Sequence, residues 1–215
     1  MDTSAIDQVI LNATTGRRLL EHPFYRRWEA GELLPGELAS YAGQYRHFEA
    51  RLPAFLESVI EMLPEGEARK AIEANLDDER GDPVPHLVLF DRFAEALDAR
   101  PAEASAATSA LVALYEKLAE TGPVPALAGL VAYEHQAPGI AATKANGLRD
   151  HYELDDDAVA FWEHHGAVDV AHARWTIEAL ARLGAEPAVV ASSVRRVADA
   201  WWEFLDEREA ACPAA

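Results

Sequence analysis

The chain has 215 residues, 50% of them hydrophobic and 26% charged, with 37 Asp and Glu against 19 Lys and Arg and a formal charge of −18. That length suits one domain with an ample core, so neither disulfides nor a structural metal is needed to hold the fold, and the acidity makes nucleic acid and membrane poor partners. The single cysteine, Cys212 in the tail ACPAA, excludes a disulfide framework and a thiolate zinc site and offers no convincing nucleophile. No targeting segment is visible in MDTSAIDQVI, and the longest apolar stretch, PVPALAGLVAY (123–133), is too short to span a bilayer; a cytoplasmic location is expected.

Alanine, leucine, glutamate and arginine dominate, and no alternating β-branched run occurs, so the whole chain reads as helix. Proline and glycine divide it into segments at 5–13, 23–30, 35–63, 66–80, 86–97, 102–121, 124–148, 155–183 and 187–210. Pro35 and the acidic run Asp155, Asp156, Asp157 mark helix starts, and Gly184 after Leu183 marks a stop. In the last segment Val190, Val194, Val197, Trp201, Phe204 and Leu205 form a plain core stripe. An all-α bundle in a single domain, 1–215, follows.

Three segments place polar residues where a core wants leucine. In 155–183, Phe161, Val168, Trp175 and Ala179 mark an apolar face opposite Glu163, Arg174 and Glu178. His165, Asp169 and His172 fall on that apolar face, at about 0°, 40° and −20° for roughly 100° per residue. An unpaired buried carboxylate costs several kcal/mol, so something compensates Asp169. Either it accepts hydrogen bonds from both histidines, or all three bind a first-row metal ion. In 124–148, Glu134 sits among Leu127, Leu130, Val131, Ala137 and Ala141, and Lys144 lies within about 80° of the same face. These two are a buried ion pair, or else a metal ligand and a catalytic amine; Pro138-Gly139 is expected to kink the helix just beyond Glu134. In NLDDERGDPVPHLVLF, Gly81, Pro83 and Pro85 forbid a continuous helix, which puts Glu79 at the end of one helix and His86 at the start of the next. Three carboxylates and three imidazoles against two divalent cations leave one positive charge, which a bridging hydroxide or oxygen-derived anion neutralises. Six ligands of this kind suit an O2-activating dinuclear iron site, and their spacing differs from the Glu-x-x-His pairs of ferritin-like bundles.

Glu79-x6-His86, then Glu134, then His165-x3-Asp169-x2-His172 resembles the haem-oxygenase-like di-metal oxidases at all six ligand positions, and the similarity extends from HPFYRRW (22–28) to the last helix. The resemblance implies a haem-oxygenase-like bundle of about seven core helices without haem, two metal ions (Fe/Fe or Fe/Mn), and oxidation by O2 with electrons from an external donor. Within the family the chain is most similar to the para-aminobenzoate synthases related to the chlamydial protein associating with death domains. Members of that branch cut their product from one of their own tyrosines and take its amino nitrogen from a lysine. Tyr25 matches the sacrificed tyrosine, Lys144 the donor lysine, and Tyr41 and Tyr133 further active-site tyrosines. One departure is Phe161, a tyrosine in the chlamydial relative, so no radical role is expected there. The thiaminase-like branch needs a cysteine nucleophile, which tail-placed Cys212 does not supply.

The resemblance therefore implies a metal-dependent oxidase that makes para-aminobenzoate for folate from its own side chains. Two other readings compete with it: oxidative C–C cleavage of an external fatty acid or amino acid at the same metals, which has no use for Lys144, and a non-enzymatic interaction protein. A homodimer is compatible with the sequence.

Overall fold

The computed structural model describes residues 1–81 and 84–211; Asp82, Pro83 and Cys212 lie outside the described residues. Every regular element among those described is helical. In chain order they are α1 (Thr3–Ala13), a 3-10 turn (Leu19–Glu21), α2 (Pro23–Glu29), α3 (Pro35–Glu49), α4 (Leu52–Met62), α5 (Glu67–Arg80), α6 (His86–Ala96), α7 (Ala106–Thr121), α8 (Pro123–Glu134), α9 (Ala137–Tyr152), α10 (Asp156–Arg182) and α11 (Pro187–Ala210). One contiguous set of buried apolar side chains runs from Ile6 to Leu205. No helix among the described residues is long and apolar enough to cross a membrane.

Two of the expected segments are each broken in two. The segment 35–63 stops at Glu49 and restarts at Leu52, and 124–148 stops at Glu134 and restarts at Ala137. Pro53 and Pro138 account for both breaks. A helical proline has no N–H for the carbonyl four residues back, and its ring crowds that carbonyl. Each proline is instead tolerated in the first turn of the following helix. The expected kink beyond Glu134 is thus a full interruption. The seventh helix begins at Ala106 rather than near 102, because the Ser105 side chain accepts a hydrogen bond from Thr108 N and caps it.

The 27-residue α10 spans about 40 Å and is the spine, with α9, α6, α5 and α8 packed along it. Its N-terminus is capped by Asp155, whose side chain accepts from Ala158 N. Two of the residues expected on its apolar face, Val168 and Trp175, are only half-buried, whereas Phe161, His165, Asp169, His172 and Ala179 are buried. On the other side α11 packs against α8, α7 and α1. Gly147 lets α9 approach α2: a Cβ there would lie 2.9 Å from Trp28 Cδ1. That closeness allows Trp28 Nε1 to donate to the Lys144 carbonyl (3.3 Å).

Gly81 makes the turn that brings α6 back towards the end of α5. Its φ is +69°, and an added Cβ would meet the Val84 carbonyl oxygen at 2.0 Å. Gly81→Ala is therefore expected to cost about 2–3 kcal/mol and to lower the calorimetric melting temperature of the metal-free protein by roughly 5–10 °C. An unchanged melting temperature would show that this turn is not held by the glycine.

Candidate metal centre

Glu79 is the next-to-last residue of α5 and His86 the first of α6, both almost fully buried. His86 Nδ1 donates to Glu79 Oε2 (3.0 Å), and the imidazole stands edge-on to His165, with ring centroids 4.6 Å apart. Ligand atoms of Glu79, His86 and His165 all lie within 4.8 Å of one another, close enough to share one ion. Glu134, Asp169, Glu79 and His165 line a single cavity of about 30 Å³, together with Tyr45, Tyr133 and Glu49.

On α10, His165 Nδ1 donates to Asp169 Oδ1 (3.3 Å), and His172 Nδ1 lies 3.5 Å from the same oxygen. Both histidines thus turn towards Asp169, as the simpler of the two sequence readings has it. His172 stands further out than the others: its Nε2 donates to Asp78 Oδ2 (3.0 Å) at a half-exposed edge of the cluster. Glu134 accepts from Asn75 Nδ2 (2.8 Å) and from Thr176 Oγ1 (2.9 Å). Glu134 and Lys144 are not an ion pair; once the helix breaks at 135–136, Lys144 points elsewhere.

The atoms with no partner indicate what the cluster lacks. Among the described residues, His86 Nε2, His165 Nε2 and Glu49 Oε1 are buried with no hydrogen bond. Such atoms are rare in native proteins and each costs about 1–3 kcal/mol. Two imidazole nitrogens and a carboxylate oxygen, beside further carboxylates, are the donor set that iron or manganese takes. The residues present fit such an ion.

Glu49 was missed in the sequence, as were Tyr45, Asn75 and Thr176. Tyr41, Tyr45 and Glu49 recur every four residues on one face of α3, so the available signal was a glutamate continuing an aromatic stripe.

The electrostatics follow from burial and crowding. Burial, with Glu79 nearby, raises Glu49 to about 8, and burial raises Glu134 to about 7. Burial opposes charge on His165 and His172, yet Asp169 and the surrounding carboxylates outweigh it and raise them to about 10 and 9. Burial also pushes Asp169 upward, but the two histidines overcome it and hold it at about 2.

Tyr25, Tyr41 and Lys144 form a second buried cluster. Tyr25 and Tyr41 share a hydrogen bond between their hydroxyls (2.8 Å), and Lys144 Nζ donates to the Tyr41 hydroxyl (2.6 Å). Five rings surround Nζ: Trp162 at 3.8 Å, Tyr25 at 4.8 Å, Tyr41 at 4.9 Å, Tyr45 at 5.0 Å and Trp28 at 5.7 Å. Aromatic faces favour an ammonium by up to about 2 kcal/mol. Burying that ammonium with no carboxylate bonded to it costs several kcal/mol. Burial therefore dominates and holds Lys144 well below its usual range, against the opposing charge of Glu49. Tyr133, at the end of α8, accepts from the Tyr45 hydroxyl (3.0 Å), so Tyr45 and Tyr133 stand between the lysine cluster and the cavity. Phe161 packs on His165, ring centroids 4.3 Å apart, as part of the apolar wall.

Residues 39–203 match the sequence profile of a family described as iron-containing redox enzymes. A 4-aminobenzoate synthase of Nitrosomonas europaea is 34% identical over 96% of this chain and 92% of its own length. A 4-aminobenzoate synthase of Chlamydia muridarum is 32% identical over 94% and 87%. In three dimensions, a protein from Shewanella denitrificans with a haem-oxygenase-like fold superposes with a TM-score of 0.80 at 17% identity, covering 98% of this chain and 93% of that one.

Binding a metal requires neutral imidazole and ionised carboxylate, so ions entering this cluster displace protons. With His165 and His172 raised to about 10 and 9, and Glu49 and Glu134 to about 8 and 7, most of these protons are in place at pH 7. Raising the pH removes the competing protons, so apparent affinity increases through this range. Anaerobic addition of Fe(II) to the metal-free protein in dilute buffer at pH 7 is expected to release about two or more protons per chain. Proton release near zero, with an affinity flat from pH 6.5 to 8.5, would contradict this charge state.

Proposed function

The chain belongs to the family of iron-containing redox enzymes, and on that premise we propose that it is an O2-dependent dinuclear-metal oxidase that makes 4-aminobenzoate from its own Tyr25, with Lys144 as amino donor. The observation that carries this reading is the buried Tyr25–Tyr41–Lys144 hydrogen-bonded triad. The product has an amino group para to a carboxyl, as tyrosine has a hydroxyl para to its Cβ. Amination therefore has to occur at the hydroxyl-bearing end of the Tyr25 ring. Tyr41 holds that hydroxyl and the lysine nitrogen at one oxygen.

Glu79, His86, Glu134, His165, Asp169 and His172 would hold two iron ions, or one iron and one manganese. With O2 and an external electron donor, such a pair supplies oxidising equivalents. The protein's own contribution begins with Lys144: apolar and aromatic walls keep its amine neutral and nucleophilic. Tyr41 accepts the amine's hydrogen bond and is paired to Tyr25, so it is placed to hold or pass the proton that leaves the phenol. Tyr45 and Tyr133 join this cluster to the cavity through closely packed, tilted rings and a hydroxyl contact, a route along which an electron leaves Tyr25 without Tyr25 touching metal. The aromatic cage excludes water from the amine and the ring it attacks.

Cavity size disfavours the external-substrate reading. About 30 Å³ admits a molecule the size of water or O2, whereas substrate pockets run to roughly 300–1,000 Å³. Among larger surface grooves, one of about 410 Å³ between α4 and α7 borders the cavity at Phe48, Leu52 and Tyr115 but is lined by none of the six candidate ligands, and one of about 550 Å³ between α1 and α10 is lined by Glu134 but by none of the other five. Nothing in the arrangement calls for a protein partner beyond an electron donor.

Incubation with Fe(II), Mn(II), reductant and O2 is expected to yield at most about one aminobenzoate per chain. Afterwards the peptide carrying HPFYRRW should be lighter by most of the Tyr25 side chain. Lys144→Arg keeps a cation but removes the transferable amine, and should abolish product while leaving metal content intact. Many turnovers with residue 25 still a tyrosine would replace this account with an external substrate.

A further inference from the structure

Three glutamates stand at the C-terminal ends of three helices. Glu49 is the last residue of α3, Glu134 the last of α8, and Glu79 the next to last of α5. In each case a proline follows four residues later in the sequence: Pro53, Pro138 and Pro83. At Glu49 and Glu134 the proline cannot donate to the glutamate's carbonyl, so the helix cannot continue through it; α5 ends at Gly81, whose φ is +69°. Each glutamate side chain is left at the negative end of the helix dipole, where a carboxylate is disfavoured and a cation is favoured. All three carboxyls are buried and all three border the same cavity. Two of them belong to the six-residue ligand set; Glu49 does not.

Glu49 is also the least satisfied of the three. Glu79 is bonded to His86, and Glu134 to Asn75 and Thr176. Glu49 Oε1 has no hydrogen bond among the described residues, and it lies 4.0 Å from His165 Nε2, which also has none. Two unsatisfied buried ligand atoms facing one another across a gap wider than a hydrogen bond leave room for something that attracts both.

We propose that Glu49 is a further ligand of the metal centre, binding the ion that Glu79, His86 and His165 share. The inference rests on the two-metal reading above and adds a fourth carboxylate to it. With Glu49, Glu79, Glu134 and Asp169 ionised and the histidines neutral, two divalent cations are balanced within the protein and need no added anion. The six-residue set leaves that pair one charge short. Because an uncompensated charge in a dry interior is costly, the fourth carboxylate strengthens the hold on two divalent ions. It also ties the metals to α3, the helix that carries Tyr41 and Tyr45 on the same face.

The test uses anaerobic equilibrium dialysis of the full chain against Mn(II), with electron paramagnetic resonance of the loaded protein and melting of the metal-free protein. Unsubstituted protein is expected to bind two equivalents with an exchange-coupled spectrum. Glu49→Gln should lose tenfold or more in affinity for one equivalent and show the six-line signal of an isolated ion, while its metal-free form melts no lower. Glu49→Leu, apolar and of similar bulk, should show the same metal defect with a metal-free form that melts higher, since an unpaired buried carboxyl is gone. Two equivalents at unaltered affinity in both variants would overturn the inference and leave the two-metal reading intact. An unsubstituted protein that binds only one ion would end the two-metal reading, and Glu49 would then stand only if that ion is weakened in Glu49→Gln. No binding by any form would defeat both.

Discussion

The structure is organised around the burial of negative charge. Glu49, Glu79, Glu134 and Asp169 lie within one helical bundle, three of them at helix C-termini where the backbone adds its own negative field. No compact fold tolerates such a group of carboxylates unless positive charge enters it. Without a metal, protons serve: His165 and His172 are held charged by the acids around them, and Glu49 and Glu134 are pushed towards their neutral forms. With metal, those protons leave and the unsatisfied nitrogens of His86 and His165 gain a partner. Most structural irregularities serve this arrangement. The proline breaks end helices at glutamates, and the positive φ of Gly81 turns the chain so that Glu79 and His86 meet.

The lysine cluster obeys the opposite rule. Here burial away from water disfavours the cation and keeps the amine neutral, outweighing the attraction of the five ring faces around it. Acid cluster and amine are held apart by Tyr45 and Tyr133, which line the cavity on one side and connect through Tyr41 to Lys144 on the other. Two local pKa regimes therefore coexist in one core, set by what fills the space between them. Such divergence is a common mark of catalytic machinery.

Much of this was legible in the sequence, for identifiable reasons. The helical content follows from composition, and the row His165, Asp169, His172 follows from a 3.6-residue period on an apolar stripe, because α10 is one regular helix. Glu79 and His86 could be assigned to two helices because Gly81 and the prolines forbid one. Periodicity failed where the helices break. Lys144 was placed by angle on the face of Glu134, but the interruption at 135–136 resets that angle, and the lysine turns instead into the aromatic cage. Pro53 was overlooked as a helix stop, and with it the position of Glu49 at a helix end. Tyr45 carries no signal in its spacing beyond that of a core aromatic, and only the hydroxyl contact with Tyr133 distinguishes it. Long-range hydrogen bonds such as Asn75 with Glu134 and His172 with Asp78 leave no trace in local spacing.

The central claim is that this buried acid cluster exists to hold two metal ions. Anomalous diffraction from crystals of the anaerobically loaded protein, recorded on both sides of the iron and manganese absorption edges, tests it most directly. The account predicts two peaks about 3.5–4 Å apart inside the cavity bordered by Glu79, Glu134, His165 and Asp169. A fully loaded crystal with no peak there, or with its metal bound elsewhere on the molecule, would contradict it.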